Sequence, residues 1–303
     1  MNKVSSFIKV SLNSHPKGSV FGNLISCDAP FRVGVAMAIL FWFCLPDVFA
    51  GDHNAPAGAR SSAMGNASAT QQDVWASFHN QAGLAFLKET VIGVSHEQRF
   101  MLNELSLNGA AFALPTKKNG TFALSVSYFG YKLYNEQKAG LAYAKSFGDK
   151  FSAGVQIDYL GTSIAEGYGS KSAFTAEAGI QALLVKGLWL GAHIYNPNHA
   201  KLSAYNEEKI PTLLKLGLDY TFSDKVNLAV ETEKDLDADA TIKAGIEYHP
   251  VKQLYLRGGI ATDPLLSSFG FGLVLQNFVI DIAASYHQDL GFSPHVSLAY
   301  SFK

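Results

Sequence analysis

From about residue 86 to the end of the chain, apolar residues alternate with small or polar ones in runs of about ten, each closed by a turn signal. Alternation with a period of two places one residue set on each face of an extended strand. In the last run Val296, Leu298, Tyr300 and Phe302 share one face, and His295, Ser297, Ala299 and Ser301 the other. Leu214, Leu216, Leu218, Tyr220 and Phe222 likewise oppose Lys215, Gly217, Asp219 and Thr221. Phe278, Ile280, Ile282 and Tyr286 oppose Asp281, Ala283, Ser285 and His287. Gly148-Asp149-Lys150, Ser223-Asp224-Lys225 and Gln276-Asn277 read as tight hairpin turns. Residues 166–171, 197–210 and 261–268 read as longer links. The runs number about fourteen. In the first two, roughly 88–100 and 102–114, helix and strand patterns compete.

Such strands form either a soluble sandwich or a membrane barrel. Composition separates the two. Charged residues make up 16% of the chain, against ~25% in ordinary soluble domains. The less apolar face is rich in Gly, Ala and Ser instead of charge. Many runs end in an aromatic (Tyr128, Phe147, Tyr159, Tyr220, Tyr248, Tyr286, Tyr300, Phe302), as residues at the two membrane interfaces do. The predicted fold is all-β: a transmembrane antiparallel β-barrel of about fourteen strands over residues 86–303, in the outer membrane and in contact with its lipid.

Two further segments precede the barrel. Residues 33–50 hold the one long apolar run. Its core, 33–45, falls short of the ~20 residues a helix needs to span a bilayer. Arg32 precedes it and Val48-Phe49-Ala50 closes it, the form of a secretory signal peptide cleaved after Ala50. Residues 1–50 are therefore read as signal peptide and leader. Residues 1–31 are long for the basic part of such a signal, which points to an extended leader or an upstream start codon. Cys27 and Cys44 both lie in this leader, so the mature chain is expected to have no thiol chemistry, disulfide or Cys-based metal site. Its charge balance gives no reason to expect nucleic acid as a partner. Residues 51–85 lack alternation and are rich in small residues. They read as an N-terminal plug segment: one or two short helices before Asp73-Val74-Trp75, then a sharp turn at Asn80-Gln81-Ala82-Gly83-Leu84, with Gly83 free to take positive φ.

The run Gly58-Ala59-Arg60-Ser61-Ser62-Ala63-Met64-Gly65-Asn66-Ala67, followed by Asp73-Val74-Trp75-Ala76 and Asn80-Gln81-Ala82-Gly83-Leu84, resembles the start of the FadL-like and PorV/PorQ-like outer-membrane proteins. Gln81 stands where that family usually has Pro. The resemblance covers residues 58–85; Arg60, Met64, Asp73, Trp75, Asn80 and Gly83 are the plug or gate candidates of a segment that either gates the lumen or only fills it and satisfies its polar groups. The resemblance implies two different functions. The FadL-like branch takes up small hydrophobic molecules through a lateral opening. The PorV/PorQ-like branch serves type IX secretion, with secretion-machinery or exported proteins as partners. The short chain, without obvious long external insertions, favours the second branch. The first is the alternative, and a structural barrel without transport the third.

Candidate chemistry is sparse. Asp158, Glu177, Lys215, Asp219, Glu231, Glu233, Lys243, Glu247, Arg257, Asp281 and His287 fall on the lumen face. Their signs are mixed, which suits a self-neutralising network; a selectivity filter would show a ring of one sign. No HExxH or Gly-x-Ser-x-Gly pattern occurs. Ser285, His287 and Asp281 share one strand face, but neighbours at i and i+2 are ~7 Å apart along it, and nucleophile and base usually come from different strands. They read as ordinary lumen residues. Gly167-Tyr168-Gly169 is too short for a phosphate loop, and Asp235, Asp237 and Asp239 read as a solvated acidic turn lacking the glycine of a calcium loop. The chain is expected to be non-enzymatic and without a cofactor.

Overall fold

The structure is a computed structural model that describes residues 54–303 except 117, 166–168 and 203–209. The leader with Cys27 and Cys44, the cleavage point after Ala50, residues 51–53 and Gly167-Tyr168 lie outside the described residues. Fourteen strands follow the N-terminal segment: β1 (Thr90–Gln98), β2 (Ser106–Thr116), β3 (Gly120–Gly130), β4 (Tyr134–Ser146), β5 (Phe151–Ile164), β6 (Gly169–Val185), β7 (Leu188–Tyr195), β8 (Leu213–Ser223), β9 (Val226–Asp235), β10 (Ala240–Val251), β11 (Leu254–Thr262), β12 (Leu265–Leu275), β13 (Phe278–His287) and β14 (Gly291–Phe302). Each pairs antiparallel with its sequence neighbour, and β1 closes on β14 from Thr90↔Phe302 to Glu97↔His295. Closure leaves no strand edge, so the sheet's backbone groups are satisfied without water, the condition for a sheet to stand in lipid.

The burial pattern inverts that of a soluble protein. Leu124, Val155, Ile157, Leu216, Ile246, Phe269 and Val296 are exposed on the outer wall, while Ala123, Gln156, Lys215, Glu247 and Ser297 are buried on the inner one. Aromatic pairs fix both rims. Phe147–Phe151, Tyr220–Phe222 and Phe278–Tyr300 gather at the rim that holds the chain's C-terminal end, and Tyr159–Phe174 and Tyr286–Phe292 at the opposite rim. The first rim has only short turns, and the second carries the long link between β7 and β8; the longer link expected at 261–268 is instead a two-residue turn, Asp263-Pro264, because β11 and β12 pair down to Thr262↔Leu265. Short periplasmic turns and longer external loops orient such a barrel, so the second rim faces outward.

The sequence expectation of two long first runs is corrected at their junction. Arg99–Met101 and Asn103–Leu105 form two single 3-10 turns, with Phe100 and Met101 at positive φ. The β1–β2 connection bends over the outer rim there, and Phe100 donates its backbone N–H to Ser293 Oγ at 2.9 Å. Strand pairing resumes at Ser106.

Candidate functional site

The lumen is occupied by the N-terminal segment. A short helix, α1 (Ala59–Ala63), and two 3-10 helices, η1 (Val74–Phe78) and η2 (Gln81–Phe86), lie inside the wall with most residues buried. Their small side chains let the segment's backbone approach the strands. Asp73 caps η1, its Oδ1 accepting from the Trp75 N–H at 2.9 Å. Asn80 caps η2, its Oδ1 accepting from the Ala82 N–H at 3.2 Å. A side-chain oxygen before a helical turn satisfies one otherwise orphaned N–H.

One expectation fails here. Gly83 does not take positive φ. It is required for space instead, because a Cβ there would lie 2.0 Å from the Gln71 carbonyl oxygen. Glycines of the inner wall follow the same logic. A Cβ at Gly154 on β5 would come 2.6 Å from Ala82 N, at Gly191 on β7 2.2 Å from Ala69 O, at Gly245 on β10 2.5 Å from Met64 O, and at Gly259 on β11 2.1 Å from Gly65 N. The wall is thus cut away, strand by strand, to receive the plug backbone.

Polar groups fill the gaps between. Glu231 Oε2 accepts from the Ser68 and Ala69 N–H groups at 2.8 and 2.7 Å. Asn80 Nδ2 donates to the carbonyls of Ala69 at 2.7 Å and of Ile180 on β6 at 3.1 Å. Ser297 Oγ accepts from the Ala59 N–H, and Ser268 Oγ from the Gly65 N–H. Gln81, where the proteins that the segment resembles usually have Pro, donates from Nε2 to Glu177 Oε2 at 2.5 Å, a contact no Pro side chain makes.

Most of the charged lumen residues singled out in the sequence form, with their partners, three groups around the plug. Arg60 contacts both Glu247 oxygens at 3.1 and 3.2 Å and reaches Asp73 at 3.1 Å. Arg257 joins Glu247 to Asp281, each at 2.6 Å. Lys138 lies between Glu177 at 2.5 Å and Asp158 at 3.8 Å, with His193 on the other Glu177 oxygen. Lys215 and Lys243 share Glu233, and Lys243 also reaches Glu231 at 3.5 Å. Asp219 stands apart, accepting from Asn227 Nδ2 at 2.7 Å. The structure therefore brings together most of the lumen residues singled out in the sequence, in pairs of opposite sign. Among the plug residues, Trp75 packs against the Gly93 position of β1, Met64 against β10, and Asn80 bonds to β6. Asp73 pairs with Arg60, which in turn reaches Glu247 on the wall.

Above the plug, toward the outer rim, a cavity of about 330 Å³ opens. Asn54, Pro56, Ser62, Asn66 and Ser68 of the plug form its floor. Its sides combine Phe100, Leu213 and Leu266 with Glu97, Arg99, Lys215, Glu233, Ser285, His287 and His295. The sequence reading missed the wall glycines as a seat and His295 as a cavity residue. Both depend on cross-strand register, which alternation within one strand does not report.

No protein-family model matches the chain, and neither does any curated protein sequence. Solved structures do. A deltaS2 mutant of the monoaromatic hydrocarbon channel TodX gives a TM-score of 0.66 at 13% identity, over 84% of this chain and 100% of that one. The Ralstonia pickettii toluene transporter TbuX gives 0.61 at 14% identity, over 81% and 98%. A FadL homologue of Pseudomonas aeruginosa gives 0.57 at 14% identity, over 82% and 98%. At such identities the likeness is one of fold: this chain folds as outer-membrane channels of the FadL type do.

Proposed function

We propose that the protein is a plugged passage for small, largely apolar molecules across the outer membrane, with residues 54–89 as its gate. One observation carries the reading: the outer cavity rests directly on the plug, so a molecule arriving from outside meets the plug first. A volume of this order suits a small ligand. The folds it shares with hydrocarbon channels and toluene transporters support the same class of cargo, and give the protein-export reading no support. Among the described strands, no break in pairing marks the lateral opening that the FadL resemblance implies. Pairing from β1 through β5 runs without a shift, and the register shifts elsewhere lie beside short turns of the inner rim. The route we propose is axial, past a displaced plug.

A cross-link tests this. Ala69 Cβ lies 3.0 Å from the Cβ position of Gly217 on β8. The pair Ala69→Cys with Gly217→Cys reaches disulfide spacing, ~3.8 Å between Cβ atoms, by a shift of under about 1 Å. Cells making the wild-type barrel should take up labelled toluene faster than cells without it. The oxidised double variant should fall to background, and a reductant should restore uptake. Uptake no faster than in barrel-free cells would sink the cargo assignment. Uptake indifferent to the cross-link would sink the gate.

A further inference from the structure

The outer cavity holds three side chains that passage does not require. Ser285 stands on β13, His295 on β14 and Glu97 on β1, adjacent strands whose inward residues line the same cavity. Ser285 pairs with Ser293, which puts His295 on the neighbouring diagonal, and His295 pairs with Glu97. Diagonal neighbours across strands remain within side-chain reach. His295 Nε2 is 2.9 Å from Ser285 Oγ, and His295 Nδ1 is 3.8 Å from Glu97 Oε2. With Nδ1 protonated toward the carboxylate, Nε2 accepts the serine hydroxyl. This is the nitrogen assignment that a Ser–His–carboxylate triad needs. The other Glu97 oxygen accepts from Arg99 Nε at 3.0 Å, which holds the carboxylate in place. His287, which shares the strand face of Ser285, is not its partner; the base comes from the next strand.

We propose that Ser285 is an acylatable nucleophile, with His295 as general base and Glu97 as positioning residue, acting on a small carboxylic ester that enters the cavity from outside. Ser285 Oγ attacks the ester carbonyl carbon while its proton passes to His295 Nε2. The carbonyl π pair moves to oxygen. Collapse of the tetrahedral species breaks the bond to the alcohol oxygen, which leaves with the proton from His295. Water then loses a proton to His295, attacks the acyl-serine and releases the carboxylic acid, returning the proton to Ser285. The net change is ester plus water to acid plus alcohol. Arg99 and the Ser293 hydroxyl line the same cavity. Ser293 Oγ accepts from the Phe100 N–H and retains its own O–H to donate to the developing oxyanion.

The test treats full-length protein, folded in detergent, with a fluorophosphonate, maps the adduct by mass spectrometry, and follows p-nitrophenyl acetate hydrolysis. Label should sit on Ser285 and be lost in Ser285→Ala. His295→Asn should slow hydrolysis about 100-fold or more, the usual worth of a general base. Glu97→Gln should lower the rate and shift the pH profile, which loss of packing alone would not do. His96→Gln, on the outward face beside Glu97, should react as wild type. Heat-modifiable migration on gels controls for folding, and the conservative Ser285→Cys replaces Ser285→Ala if that variant does not fold; it should accept an alkylating ester analogue at Cys only with His295 present. An unlabelled Ser285 in the folded barrel, labelling indifferent to His295→Asn, or a Glu97→Gln variant with unchanged rate and pH profile would each overturn the triad.

Discussion

The two walls that hold the plug are built on different chemistry. Toward β1–β4 the seat is apolar: Ala57, Val74, Trp75, Phe78 and Leu84 of the plug pack on Val91, Ala111, Ala113, Ala123, Ala142 and Ala144 of the strands. Toward β6–β14 it is polar: Glu177, Gln181, Glu231, Glu247, Ser268 and Ser297 each bond to a plug residue. Apolar contact is nearly non-directional, so the first wall resists displacement without fixing register. Hydrogen bonds to named carbonyls and N–H groups fix register, and they make the second wall the one where a single change leaves a partner stranded. A gate that must reseat in one position needs the second kind of wall; a gate that must stay in the lumen needs the first.

Near-isosteric changes on each wall sharpen that contrast. Glu247→Gln keeps the shape but removes the one carboxylate that Arg60 and Arg257 share. Breaking a buried ion pair of this kind costs about 3–5 kcal/mol. Guanidinium unfolding in detergent should show a loss of at least about 3 kcal/mol, and a loss below about 1 kcal/mol would remove the polar wall's special standing. Leu84→Met on the apolar wall conserves volume at a fully buried site. Such swaps cost under about 1.5 kcal/mol. A larger loss in the same unfolding assay would mean that the apolar wall also fixes register.

How far each wall could be read in the sequence follows the same division. Alternation is imposed by lipid on one side and lumen on the other, so the strand faces, including inward Lys215, Glu247 and Asp281, were legible from single runs such as 278–287. The closed barrel of fourteen strands was legible for the same reason. The small residues of 51–85 mark a segment unlike a strand. What those residues touch was not legible. Gly191 meets Ala69, and Gly259 meets Gly65, across more than a hundred residues of chain, and nothing local records such an approach. Gly83 was misread because glycine serves both positive φ and close contact, and only the neighbour, the Gln71 carbonyl, decides between them. The Ser285–His295–Glu97 group escaped for a third reason. A search along one strand finds Ser285 and His287, whereas the hydrogen-bonded histidine lies across a hairpin turn.

The smallest expected effect probes His79, which sits fully buried in the plug. Its Nε2–H donates to the Ala57 carbonyl at 2.9 Å. Burial, aided by the charge of Lys215, pushes its imidazole down to about 3 from the ordinary value near 6.5. A released, solvated plug returns His79 to that ordinary range. Below pH 6.5 the released state binds more protons than the seated one, so seating is favoured above that pH and weakens as the pH falls toward 3. The loss approaches about 1.4 kcal/mol per pH unit at its steepest, hence on the order of 1 kcal/mol between pH 6.5 and 5.5. The informative quantity is the difference between wild type and a variant without that imidazole. The pH slope of the unfolding midpoint should be steeper in wild type than in His79→Gln, which carries no titrating group at that position. Equal slopes would show that the imidazole is not held neutral by burial, and that the seat around Ala57 admits water that the packing described here excludes.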